Sequence, residues 1–272
     1  MLIRNIPSSG EALPVIGMGT WQTFDVSDTL YPTLNEVLQT LYSAGGRLLD
    51  SSPMYGRAEE VIGAITEEME MKEDFFYATK VWTSGEEQGI RQIEASFRKM
   101  KRTQMDLVQI HNLADWRTHL HTLRRWKEIG KIRYLGITHY ADSSHEELER
   151  IMRAENIDFV QFNYSIGSRH AEKRLLEAAA DLGIATLINR PFGEGHLFSK
   201  VKGKPLPSWA KEYQIESWGA YFLFYVLAHP AVTCVIPATS NPQHAFENTQ
   251  AGWGTLPDEA AKKRMLAYWE SL

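Results

Sequence analysis

The chain has 272 residues, 43% of them hydrophobic, with a formal net charge of −5 and one cysteine. That is enough apolar material for one large core, and the length suits one α/β barrel. The acidic balance argues against a nucleic-acid partner, and a lone thiol, Cys234, makes no internal disulfide and fits a reducing compartment.

The opening residues, MLIRNIPSSG, lack the apolar core of a signal peptide. A cytoplasmic location is expected, although an export leader removed beforehand would leave no trace. The stretch LIRNIPSSGEALPVI reads as a β-hairpin around Ser9-Gly10 that would plug the N-terminal mouth of a barrel. After it, short apolar runs rich in β-branched and aromatic residues recur. They are PVIGMGT (14–20), RLLDSS (47–52), FFYATK (75–80), MDLVQIHN (105–112), IRYLGITH (132–139), IDFVQFN (157–163), IATLINR (184–190) and VTCVIPAT (232–239).

Amphipathic helical patterns fill the gaps. AEEVIGAITEEME places Val61, Ile62 and Ile65 on one face, and EQGIRQIEASFRKM places Ile90, Ile93 and Phe97 likewise. HEELERIMRAE and AEKRLLEAAADLG follow the same period, the latter stopped by Gly183. The basic clusters Lys99-Met100-Lys101-Arg102 and Arg124-Arg125-Trp126-Lys127 fall inside helical patterns and read as solvated faces. From Ser217 to Phe246 there is no charged residue, but His229-Pro230 interrupts the run short of the about 20 apolar residues that a membrane-spanning helix needs. A buried helix, WGAYFLFYVLA, a turn and a buried strand are expected there, with no membrane contact.

No linker, low-complexity tract or domain boundary is visible. Strands alternating with helices over this length predict a single (β/α)8 TIM barrel spanning residues 1–272, preceded by the hairpin. An open doubly wound sheet would carry a glycine fingerprint after its first strand; GMGTWQ lacks the third glycine, and GEGHLF follows no suitable strand.

In such barrels the chemistry gathers at the C-terminal ends of the strands. The second run ends in Asp50, with Tyr55 five residues on; the third ends in Lys80 and the fourth in His111. Consecutive strand ends are neighbours, so an acid, a phenol, an amine and an imidazole should converge. A phenol of pKa about 10 is a poor acid near neutrality. A nearby ammonium such as Lys80 is expected to lower that pKa, Asp50 to hold the ammonium, and His111 to hydrogen-bond a substrate oxygen. This is what a carbonyl needs as it receives a hydride.

Three motifs occur in order: Asp50 followed at once by SSPMYG, then ATKVW, then LVQIHN. With these, and with Glu59 four residues beyond the tyrosine, the chain resembles the aldo-keto reductase superfamily over its whole length. The resemblance implies NAD(P)H-dependent reduction of aldehydes and ketones, with Tyr55 as general acid. The resemblance also implies NADP(H) as the preferred cofactor and NAD(H) as a usable one. It implies cofactor contacts by Thr20 and Trp21, by Asp50, by Thr138, His139 and Gln161 at the carboxamide, and by Asn189, Arg190, Pro191, Phe192, Gly193 and Gly195 along the pyrophosphate. Ala238, Thr239, Ser240, Asn241, His244, Glu247 and Asn248 would meet the adenosine end, where a helix start at Asn241-Pro242 would offer free N–H groups to a phosphate. The implied substrate is a small-molecule carbonyl compound in an open pocket lined by Trp21, Phe24, Met54, Trp82 and Asn112, and the chain is expected to be a monomer.

Two positions depart from the family pattern. A tyrosine that stacks on the nicotinamide is often found where this chain has Asn189, followed by Arg190. The 2′-phosphate pocket usually carries a lysine and an arginine, where this chain has Ala238 and His244. Two other readings compete with this one. A metal-dependent hydrolase would need several converging imidazoles, and His119 and His121 sit two apart on a helical pattern, facing different ways. A nucleotide-binding regulatory protein with little turnover would share the fold and the altered cofactor pocket, against which stands the complete set of four residues.

Overall fold

A computed structural model describes residues 1–272. Strands β1 (Ile3–Asn5) and β2 (Ala12–Pro14) form an antiparallel hairpin. Eight parallel strands follow: β3 (Met18–Gly19), β4 (Leu48–Asp50), β5 (Phe76–Val81), β6 (Met105–His111), β7 (Ile132–Thr138), β8 (Phe159–Asn163), β9 (Ala185–Asn189) and β10 (Cys234–Val235). They lie side by side in chain order. Parallel bridges from Ile16 to Val235 and from Gly19 to Ala238 join the first to the last and close the barrel.

Helices α1 (Tyr31–Ser43), α2 (Ala58–Glu67), α3 (Glu86–Lys99), α4 (Trp116–Glu128), α5 (His145–Ala154), α6 (Leu175–Asp181), α7 (His196–Val201), α8 (Trp218–Leu227), α9 (Pro242–Gln250) and α10 (Glu259–Ser271) complete the chain. Helix α8 is apolar around its circumference and buried along its length, as the charge-free stretch predicts. No helix is long and apolar enough to cross a membrane. The pattern expected over 171–183 is split. His170–Lys173 is a 3-10 turn, the non-helical backbone of Arg174 (φ −153°, ψ −40°) interrupts the pattern, and α6 then runs to Asp181. The break turns Glu172 inward, where it accepts hydrogen bonds from Tyr164, Tyr225 and Lys262.

Side chains alternate between the barrel interior and the helical layer. Leu48, Phe76, Ala78, Leu107, Tyr134, Phe159, Ala185 and Leu187 point inward and pack with Ile6 and Leu13 of the hairpin. The hairpin therefore closes the N-terminal mouth, held there also by Tyr134 Oη donating to Ser9 Oγ (2.7 Å) and by the Arg133–Glu11 ion pair. The same parity carried up the strands brings Asp50, Lys80, Gln109 and Gln161 inward at the opposite end. The interior is thus apolar at the bottom and polar at the top.

Candidate active site

The polar layer is a connected network. Lys80 is fully buried; its Nζ donates to Asp50 Oδ2 (2.5 Å) and to the Ser51 carbonyl (2.7 Å). Asp50 Oδ1 accepts from Gln109 Nε2 (2.9 Å) and Gln161 Nε2 (3.1 Å). Every oxygen of the buried carboxylate thus has a donor, which is the condition for keeping a charge out of water. Gln109 escaped notice in the sequence, although its spacing from Leu107 and its register opposite Lys80 mark it as inward. Glu59 is buried behind the layer and accepts from Thr79, the outward neighbour of Lys80; burial raises its carboxyl pKa.

Tyr55 and His111 stand above this layer. Their rings meet edge to face at 5.7 Å, and Lys80 Nζ lies 5.0 Å from the centroid of the Tyr55 ring. Ser52 Oγ accepts from the Met54 amide (3.3 Å) and lies 3.0 Å from His111 Nδ1. With the Ser52 hydroxyl donating to Nδ1, the neutral ring carries its proton on Nε2, the tautomer that can donate into the cavity. Burial, then the charge of Lys80, pushes the imidazole down to about 3, so it is neutral at physiological pH. Ser52 is a second residue that sequence reasoning missed, hidden in a stretch that reads as a turn.

The titration of Tyr55 differs from expectation. Burial of the phenol outweighs the lowering effect of Lys80, and Asp50 opposes it further, so the pKa is raised rather than lowered. For Lys80, burial favours the neutral amine, but Asp50 and then Tyr55 outweigh it, and the ammonium is held above its ordinary range. Tyr55 is protonated and Lys80 charged across the neutral range.

A cavity of about 630 Å³ opens over these groups. Of the residues singled out in the sequence, Thr20, Trp21, Asp50, Met54, Tyr55, Trp82, His111, Asn112, Thr138, Gln161, Asn189, Arg190, Pro191, Phe192, Gly195 and Ala238 line it. Phe24 does not. It is fully buried in the core, because a tight turn in which Thr23 and Phe24 N–H both bond the Thr20 carbonyl, with Gln22 at φ +62°, folds the ring back under the loop. His139 turns onto its own loop, where Nδ1 accepts from the Tyr140 and Ala141 amides, and stays off the cavity wall. Its neighbour Tyr140 lines the wall instead and was missed in the sequence.

Gly193, Thr239, Ser240, Asn241, His244, Glu247 and Asn248 lie outside the cavity lining, on the β9–α7 loop, the link from β10 to α9, and α9 itself. The expected free N–H groups of α9 are not free. Asn241 Oδ1 caps the helix, accepting from Gln243 N (2.8 Å) and His244 N (3.4 Å), and Pro242 has no N–H to offer. No group of His, Cys, Asp and Glu is arranged to hold a metal ion; His119 is instead buried against the Thr83 carbonyl.

The site's chemistry can be compared with the residues a nicotinamide cofactor needs. Oδ1 of Asn112 and Oδ1 of Asn189 are buried beside the cavity without a donor, which fits a ligand bringing amide or hydroxyl hydrogens. Comparisons with known proteins bear on the same point. A family model described as the Aldo/keto reductase family matches residues 15–264. An aldo-keto reductase of Mycobacterium sp. (strain JLS) is 27% identical over 198 residues, 71% of this chain and 68% of that protein. The methylglyoxal reductase YeaE of Escherichia coli (strain K12) is 27% identical over 255 residues, 90% of this chain and 88% of that protein. The crystal structure of an aldo-keto reductase from Klebsiella pneumoniae in complex with NADPH superposes with a TM-score of 0.81 at 20% identity, covering 99% of this chain and 96% of that one. A family model matched over nearly the full length, with the barrel and its buried Asp50–Lys80 pair beneath Tyr55 and His111, establishes that the chain belongs to the aldo/keto reductase family.

Proposed function

We propose that the protein reduces aldehydes or ketones to alcohols with NADPH as preferred cofactor and NADH as a usable one, Tyr55 acting as the general acid. The observation that carries this reading is the pairing of the Tyr55 phenol with the neutral His111 imidazole above a sealed ammonium. A bound reduced nicotinamide supplies the hydride. Thr138, Gln161 and Asn189, on the cavity wall, would hold its carboxamide, and the loop from Pro191 to Gly195 would meet its phosphates.

The chain's own work is on the carbonyl oxygen. His111 donates to it and fixes its direction; Tyr55 donates to it and releases its proton as negative charge builds. The phenolate left behind faces the Lys80 ammonium, which Asp50 and the two glutamines keep in place. The phenolate then recovers a proton from solvent. The aromatic rim of Trp21, Trp82 and Tyr140 is half exposed and suits small aldehydes, dicarbonyls or aromatic aldehydes. Methylglyoxal is the first substrate to try, given the name of the Escherichia coli relative.

The test follows loss of reduced-cofactor absorbance with methylglyoxal and 4-nitrobenzaldehyde, using NADPH and NADH. Wild type should turn over, and Tyr55→Phe should lose about 10²–10⁴-fold in kcat while its cofactor Kd holds. Full activity in Tyr55→Phe would sink the assignment of the acid. Cofactor binding without consumption would favour a nucleotide-binding protein with little turnover.

A further inference from the structure

Arg190 is the only lysine or arginine on the cavity wall; Lys80 lies sealed beneath it. Its guanidinium lies over the Tyr140 ring at 4.1 Å and 5.7 Å from the centroid of Trp21, so three loops, after β3, β7 and β9, meet around it. Stacking fixes its plane and leaves the edge free. Its Nη2 lies 2.7 Å from Glu194 Oε1, in an ion pair about one-third exposed on each side. Pairs this exposed contribute little, so a ligand anion can compete for the fork. Arg190 also acts electrostatically on Tyr55, which sets it on the side of the proton donor.

We propose that Arg190 binds an oxyanion within the cavity and that the anion is the substrate's own, selecting carbonyl compounds that carry a carboxylate. This rests on the reductase reading above. The rim agrees with it: Trp21 and Tyr140 flank the guanidinium and offer flat faces to the body of such a substrate, while its carbonyl reaches Tyr55 and His111. The pyrophosphate of the cofactor is the other possible source of the anion, and the experiment separates the two.

The test compares 4-carboxybenzaldehyde, ionised at neutral pH, with 4-isopropylbenzaldehyde; the two para groups are similar in size, neither withdraws electrons strongly, and they differ in charge. The readout is the ratio of their kcat/KM values, because any loss common to both cancels. Wild type should favour the carboxylate about tenfold or more, Arg190→Gln should bring the ratio near one, and Glu194→Gln should raise it several-fold by freeing the fork. Cofactor Kd, read from tryptophan quenching in the same variants, distinguishes the sources. A ratio unchanged in Arg190→Gln, with both aldehydes slowed and NADPH Kd raised, would assign the guanidinium to the pyrophosphate and overturn the proposal. A wild-type ratio near one would overturn it without any variant. If neither aldehyde is consumed, the reductase reading fails and takes this inference with it.

Discussion

At the scale of single residues, the site is defined by which groups do not titrate near neutrality. His111 is held down to about 3 by burial and by Lys80, so it is neutral above about pH 4. Tyr55 is raised above the ordinary phenol value of about 10, and Lys80 is raised with it. With Tyr55 as the proposed acid, reduction would need the protonated phenol, so its rate should be level from about pH 5 to 9 and fall only as the phenol ionises at higher pH. Alcohol oxidation by the same proposal would need the phenolate as base and should instead rise towards alkaline pH. Profiles of kcat/KM for a non-ionising aldehyde and its alcohol check both signs. An inflection near pH 6–7 in reduction would mean that an imidazole titrates in the mechanism, which the surroundings of His111 forbid.

At the scale of elements, helix α2 follows the Tyr55 loop and packs against the end of α3 through Gly63. A Cβ at Gly63 would meet the Lys99 carbonyl oxygen at 2.0 Å and Met100 Cα at 2.8 Å. These are backbone atoms, so neither can rotate away. Alanine favours a helix interior by about 1 kcal/mol over glycine, but overpacking costs about 1–3 kcal/mol or more, and the clash decides. Gly63→Ala should lower stability in urea unfolding; a gain would show that the two helices can part freely.

This scale also shows what the sequence made legible. Asp50, Lys80 and His111 could be read because strand ends are marked by period and each projects one chemical group into the barrel mouth. Gln109 follows from the same parity and needed only the register with Lys80. Phe24 could not be placed, since an aromatic after a strand end fits the pocket or the core equally until the left-handed Gln22 decides it. The α9 start misleads for a related reason: Asn241 is both a plausible phosphate neighbour and a good cap, and the cap geometry is what forms.

At the scale of the molecule, the barrel separates stability from chemistry along its axis. Inward positions at the bottom are apolar and closed by the hairpin; the same parity at the top places the polar network and the cavity. Ile6 tests this division. It is fully buried among the interior residues of the lower barrel, in company with Leu13, Phe76 and Tyr134. Ile6→Ala removes most of that side chain from a site that strands on all sides hold open, so collapse around it is limited. It should cost about 2–5 kcal/mol in unfolding free energy. Because the polar layer keeps its own hydrogen bonds, kcat/KM measured well below the new melting temperature should stay within about twofold of wild type. A large loss of activity at full folding would show that packing at the bottom sets the geometry of Lys80 and Asp50 at the top, and that the barrel transmits strain along its strands instead of confining it.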